Sequence, residues 1–126
     1  MITGRVSSDQ QALIAIDIMD GEGQPRSQEV VLDTGFTGYL TLPSESIREL
    51  GLPSVGQRTF ELANGELFDF QVYIGSVSWH GRQSDVLVLQ SDSVPLLGMT
   101  LLWGSRVCMD ALNEGEVTIE ELSPAP

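Results

Sequence analysis

Asp33, Thr34 and Gly35 close the apolar run Val30-Val31-Leu32 and precede Phe36-Thr37-Gly38-Tyr39-Leu40-Thr41-Leu42-Pro43. A strand that stops at an acid, a small hydroxyl residue and a glycine presents a carboxylate on a tight turn that other backbone can approach closely. The chemistry open to that carboxylate is acid–base work on a bound water, and the stretch reads as half of a two-carboxylate hydrolytic site. Two carboxylates a few ångströms apart cannot both ionise, so the pair shares one proton and supplies a base and an acid together. This chain has a single Asp-Thr-Gly. Asp9, Asp17, Asp20, Asp69, Asp85, Asp92 and Asp110 are followed by neither Thr-Gly nor Ser-Gly. A two-aspartate site therefore draws its second acid from another copy, and an enzyme of this kind is a homodimer. The competing reading of Asp33 is a side chain that merely caps the Thr-Gly turn, a common task for Asp.

The elements that would position Asp33 follow from periodicity and turn signals. Gln11 to Met19 alternates around Leu13, Ile14, Ile16 and Ile18 and runs into Asp20-Gly21-Glu22-Gly23, a turn before a second strand at Gln28 to Leu32. The hairpin delivers Asp33. After Tyr39 to Leu42, Pro43 and Ser44 open a short helix through Ile47 and Leu50, closed by Gly51. Arg58 to Ala63 and Glu66 to Ile74 read as strands joined at Asn64-Gly65, a two-residue hairpin turn whose positions both tolerate positive φ. Ser76 to Trp79 and Ser84 to Leu89 pair around His80-Gly81. Val94-Pro95-Leu96-Leu97-Gly98 leads into a second short helix over Met99 to Trp103. Arg106 to Asp110 and Glu116 to Glu121 complete the strands, and Ser123-Pro124-Ala125-Pro126 reads as a frayed tail. Short strands, frequent Gly and Pro turns and one or two brief helices predict an all-β, closed barrel-like fold in one domain spanning 1–126, with its core at about 12–121.

Composition narrows the function classes. With 18 acidic against 6 basic residues the formal net charge is −12, and no basic cluster exists, which argues against nucleic acid and anionic membrane as partners. Cys108 is the sole cysteine, so neither an internal disulfide nor a Cys/His zinc set is available. No metal and no cofactor are called for. Cys108 is expected to be a small buried residue, Trp79 and Trp103 core or interface packing, and His80 a turn residue. The Asp17 to Glu22 cluster lacks the spacing of a calcium loop and reads as a solvated hairpin end. The first residues lack a signal-peptide core and no apolar run is long enough to span a bilayer, so the expectation is a soluble, cytoplasmic protein.

Apolar-apolar-Asp-Thr-Gly, a central Ala63-Asn64-Gly65 hairpin and a later Leu96-Leu97-Gly98-Met99 occur in the order found in retropepsin-like aspartic proteases. The chain resembles small prokaryotic single-domain members of that clan from about Ala12 to the last strand. The resemblance implies an acid-protease fold and a homodimeric endopeptidase in which Asp33 of each chain activates water. Thr34 would bond across the two-fold axis and Gly35 would turn backbone N–H groups toward the carboxylates. Leu97 and Gly98 would pass beneath the catalytic loop, glycine being required where a side chain would collide. Leu62, Ala63, Asn64 and Gly65 would form a flap over an extended peptide or protein substrate, with Leu62 and Leu67 lining subsites.

Departures from the retroviral pattern are also visible. Phe36 replaces a small residue, and Met99-Thr100 stands where an arginine usually supports the dimer. Cross-subunit support must then come from elsewhere. The terminal strands form the dimer sheet in retroviral enzymes, and the Pro-containing tail departs from that arrangement. The alternative function is a non-catalytic dimer that holds a peptide or protein on the same fold.

Overall fold

The computed structural model describes residues 1–123, so the tail expected at 123–126 lies, beyond its first residue, outside the described residues. The chain is mostly β. Its strands are β1 (Ile2–Val6), β2 (Ala12–Met19), β3 (Pro25–Leu32), β4 (Leu40–Leu42), β5 (Ser54–Glu61), β6 (Leu67–Trp79), β7 (Arg82–Gln90), β8 (Leu96–Leu97), β9 (Ser105–Met109) and β10 (Glu116–Glu121). Two short helices, α1 (Ser44–Leu50) and α2 (Met99–Leu102), interrupt them. All ten strands join one sheet in the order β5-β6-β7-β4-β8-β3-β2-β1-β10-β9. A further pairing of β6 with β2 at Ile18↔Val77 closes six of these strands into a ring.

The core fills that ring. Along β2 the alternate residues Ala12, Ile14, Ile16 and Ile18 are buried, as strand periodicity demands of a sheet with one apolar face. They meet Val30, Leu40, Leu42, Val77, Val88 and Leu97 from the other ring strands. Val117 and Ile119 of β10 extend the same cluster under the β1-β10-β9 arm. Helix α1 adds Ile47 and Leu50 and ends at Gly51, whose left-handed φ of 68° lets its N–H donate to the Ile47 and Arg48 carbonyls. Pro43 leaves the start of α1 without a side-chain cap, and Asp92 fills that role from 48 residues away. Its Oδ1 accepts from the Ser44 N–H (2.9 Å) and hydroxyl (3.0 Å).

Several expectations are corrected. The strands expected at Glu66 to Ile74 and Ser76 to Trp79 are one continuous strand, β6 (Leu67–Trp79), which pairs with β5 in its first half and β7 in its second. Gly75 stays in the ladder opposite Val86 and makes room for Val88, whose Cγ2 would stand 3.2 Å from a Cβ there. The Asn64-Gly65 link is a three-residue loop. Gly65 alone has a positive φ (84°), its N–H donates to the Leu62 carbonyl (2.9 Å), and Leu62 N–H donates to the Glu66 carbonyl (2.7 Å). This is a turn followed by a glycine bulge, and Asn64 Oδ1 bonds the Glu66 N–H (3.0 Å). The two-residue turn with positive φ at both positions occurs instead at His80 (51°) and Gly81 (76°).

Cys108 is exposed, because the even positions of β9 turn away from the core while Val107 faces it. Trp79 is a core residue, but Trp103 is 81% exposed, since Leu101 and Leu102 already take the buried side of α2. Residues 2–6, which carried no strand signal, form β1 between β2 and β10.

Candidate active site

Strand β3 delivers Asp33 to the head of a turn, and β8 holds that turn from below. β8 lies parallel to β3 (Val31↔Leu96, Leu32↔Leu97) and antiparallel to β4 (Leu40↔Leu97, Thr41↔Leu96), so it is inserted between the two strands that the turn connects. Asp33 N–H donates to the Leu97 carbonyl (2.9 Å), and its own carbonyl accepts from Phe36 N–H (3.2 Å). Beyond β8 the chain passes directly under residues 36–39. Gly98 N–H donates to Tyr39 O (3.0 Å), Met99 N–H to Phe36 O (2.8 Å) and Thr100 N–H to Gly38 O (3.1 Å). A Cβ on Gly98 would stand 2.6 Å from Phe36 O and nearer still to the Gly38 carbonyl oxygen, so only glycine fits. Asp33, Thr34, Gly35, Leu97 and Gly98 are thus brought together as one braced turn.

Within the turn, Asp33 Oδ1 accepts from the Gly35 N–H (2.9 Å). This bond fixes the carboxylate's rotation. A Cβ on Gly35 would press on the same oxygen at 3.2 Å. Among the described residues, Asp33 Oδ2 and the Thr34 hydroxyl take part in no hydrogen bond, and no cation forms an ion pair with Asp33. Asp33 is half-buried while Thr34 and Gly35 are exposed. The acid therefore has one oxygen tied to its own backbone and one open to whatever meets this surface.

One supporting residue escaped the sequence reading. Among the described residues Thr41 is the one buried polar residue, and its Oγ1 accepts from the Leu96 N–H (2.9 Å), pinning β8 to β4. A threonine among the leucines of Leu40-Thr41-Leu42 was the available signal, because a hydroxyl on a fully apolar strand needs a partner.

The hairpin of β5 and β6 carries Leu62, Ala63, Asn64 and Gly65 at its end. Its apolar side chains share one face. Phe60 meets Phe70 edge-on at 5.7 Å between centroids, and Phe68 lies 4.9 Å from Phe70. Leu62, Phe68 and Phe70 line a cleft of about 410 Å³ against Gln90 at the end of β7 and Ser91 and Asp92 just after it. Leu67 pairs with Glu61 on the opposite face and is excluded from this cleft. Phe68 and Phe70, not Leu67, are the lining residues, and their spacing of two with the paired Phe60 was the signal. Asp33 does not line this cleft, and no hydrogen bond joins the hairpin to the Asp33 turn within the chain. Ser44's backbone N–H and then its hydroxyl hold the Asp92 carboxyl below the ordinary carboxylate range.

Among the described residues no group of three or more His, Cys, Asp or Glu is arranged to hold a metal, and no helix is long and apolar enough to cross a membrane. No family model matches the chain, and no curated protein matches it.

Proposed function

We propose that the protein is a homodimeric aspartic endopeptidase with a retropepsin-like, barrel-like acid-protease fold. The observation that carries this reading is the Asp33 turn. Its carboxylate is oriented by Gly35, the turn is braced by Leu97 and Gly98, and Asp33 Oδ2 and the Thr34 hydroxyl are left unbonded at the surface. In the dimer the two Asp33 carboxylates face each other and share a proton. The ionised carboxylate takes a proton from a water held between them as that water attacks the peptide carbonyl. The protonated one donates to the carbonyl oxygen, giving a tetrahedral diol that collapses with proton transfer to the leaving amine. Thr34 holds the two turns together across the axis, and the hairpin around Asn64 covers the extended peptide. The exposed, unpaired Cys108 supports a reducing, cytoplasmic setting.

The separation of the aromatic cleft from Asp33 within one chain favours a second reading, a dimer that binds peptides through the hairpin without cutting them. Cleavage of a fluorogenic peptide pool decides between the two. The endopeptidase reading expects turnover with a bell-shaped pH profile, lost by about 10²–10⁴-fold or more in Asp33→Asn while the dimer persists. Peptide binding without turnover, unchanged in Asp33→Asn, would establish the binding reading instead.

A further inference from the structure

We infer that two copies of the chain associate through the free edge of β9, paired antiparallel about Val107, with Trp103 of each copy seated at the far end of the other's β9. The inference deepens the two-chain reading of Asp33 and rests on it for its functional consequence, because the site is incomplete without the partner.

The terminal strands cannot supply the seam by their edges, since β1 lies between β2 and β10, and β10 between β1 and β9. Among the described residues the sheet ends at β5 and β9. The β5 edge is interrupted by a register shift between Ser54 and Gly56, where Gly56 takes φ +98°, which is how sheet edges are blunted against pairing. The β9 edge has no bulge and no proline.

The direction of its backbone groups follows from its ladder. Asp110 N–H donates to Glu116 O and Leu122 N–H to Gly104 O, so the even positions of β9 bond to β10. Ser105, Val107 and Met109 therefore turn N–H and C=O outward. An antiparallel partner centred on Val107 sets Val107 against its own copy and Ser105 against Met109 of the partner subunit. Every outward group on the strand is then matched.

The same register settles two further features. Extended two residues past each end of β9, the register brings Trp103, 81% exposed after α2, opposite Ala111 of the partner subunit. There Met109, Ala111 and Leu112, with polar Ser7, Gln10 and Asn113 among their neighbours, line an open cleft of about 330 Å³, a seat that offers an indole both an apolar wall and partners for its N–H. On the outer face Arg106, which pairs with Glu120 of its own chain (2.9 Å), falls diagonal to both Asp110 and Arg106 of the partner subunit, so each guanidinium gains a carboxylate of the other copy beside one like-charge neighbour at the axis. The knob precedes β9 and the hole follows it, the self-complementary pattern a two-fold axis requires. Trp103 also ends the helix whose first residues bond the Asp33 turn, so the seam begins next to the catalytic brace.

The test is sedimentation equilibrium of the full chain and of Trp103→Ser, Arg106→Glu and Val55→Ser, with amide exchange read residue by residue across protein concentration. Trp103→Ser should weaken dimerisation at least about 10-fold, as loss of an interface hot spot does. Arg106→Glu should weaken it too, Val55→Ser on the β5 edge should not, and added salt should tighten it. Amides of Ser105, Val107 and Met109 should gain protection with concentration, while those of Arg106 and Cys108 stay constant. A monomer at all concentrations, or a dimer indifferent to Trp103 with no protection at those three amides, overturns the inference. Peptidase activity in such an indifferent dimer would leave the Asp33 reading standing, and a Trp103-dependent dimer that cleaves nothing would do the reverse.

Discussion

Gly98→Ala should damage both stability and turnover, and its size can be worked from the contacts. The added methyl would meet backbone, Phe36 O at 2.6 Å and the closer Gly38 carbonyl, so no side-chain rotation relieves it. Either the turn lifts or β8 drops by several tenths of an ångström. Overpacking of this kind costs about 1–3 kcal/mol. The movement also stretches the bonds from Gly98, Met99 and Thr100 N–H to Tyr39, Phe36 and Gly38, which now measure 2.8–3.1 Å. Each is worth about 1 kcal/mol. The expected loss is therefore about 2–5 kcal/mol by urea unfolding at fixed protein concentration. A displacement approaching 1 Å at Asp33 would lower peptide turnover by about 10²-fold. Gly75→Ala is the internal control, because the same methyl there meets side-chain tips alone, the nearest Val88 at 3.2 Å, and should cost under about 1 kcal/mol. Equal midpoints and equal turnover for Gly98→Ala and wild type would refute the reasoning that the chain beneath the turn fixes the acid.

Thr41→Val should cost about 1–3 kcal/mol, because the Leu96 N–H loses its acceptor inside the core, and Thr41→Ser should recover most of that loss in the same unfolding assay. Asp92→Ala should lower the melting temperature at pH 7 by removing the cap on α1. Since the folded Asp92 carboxyl sits below its ordinary value of 3.8, its contribution is present above that pH and lost as pH falls through the folded value. The gap between the two proteins should therefore close in acid, and a constant gap from pH 7 to pH 2 would contradict the cap. Gly65→Ala should loosen the hairpin loop by about 1–2 kcal/mol, because a Cβ is forced into φ +84°, and faster exchange at the Leu62 amide reports it.

The turn carrying Asp33 was legible because a strand, an acid and a glycine act over consecutive residues. Helix α1 was legible for a similar reason, from Pro43 at one end and Gly51 at the other. The brace from Gly98 was available only through resemblance, since a collision between residues some 60 positions apart leaves no local mark. Asn64-Gly65 misled because Asn also suits a turn at ordinary φ, leaving Gly65 alone in the left-handed region. Cys108 misled because an apolar triplet on an edge strand looks the same as one in the core. β1 was overlooked because Ile2-Thr3-Gly4-Arg5-Val6 is too short and polar to declare a strand until β10 pairs with it.

The central claim is that one site is made by two chains, and mixing tests it most directly. Equal amounts of wild type and Asp33→Asn, allowed to exchange subunits, should retain about one quarter of the activity of the same total amount of wild type, because mixed dimers lack one acid. Retention of about one half would mean that each chain works alone, and the shared dyad would be wrong.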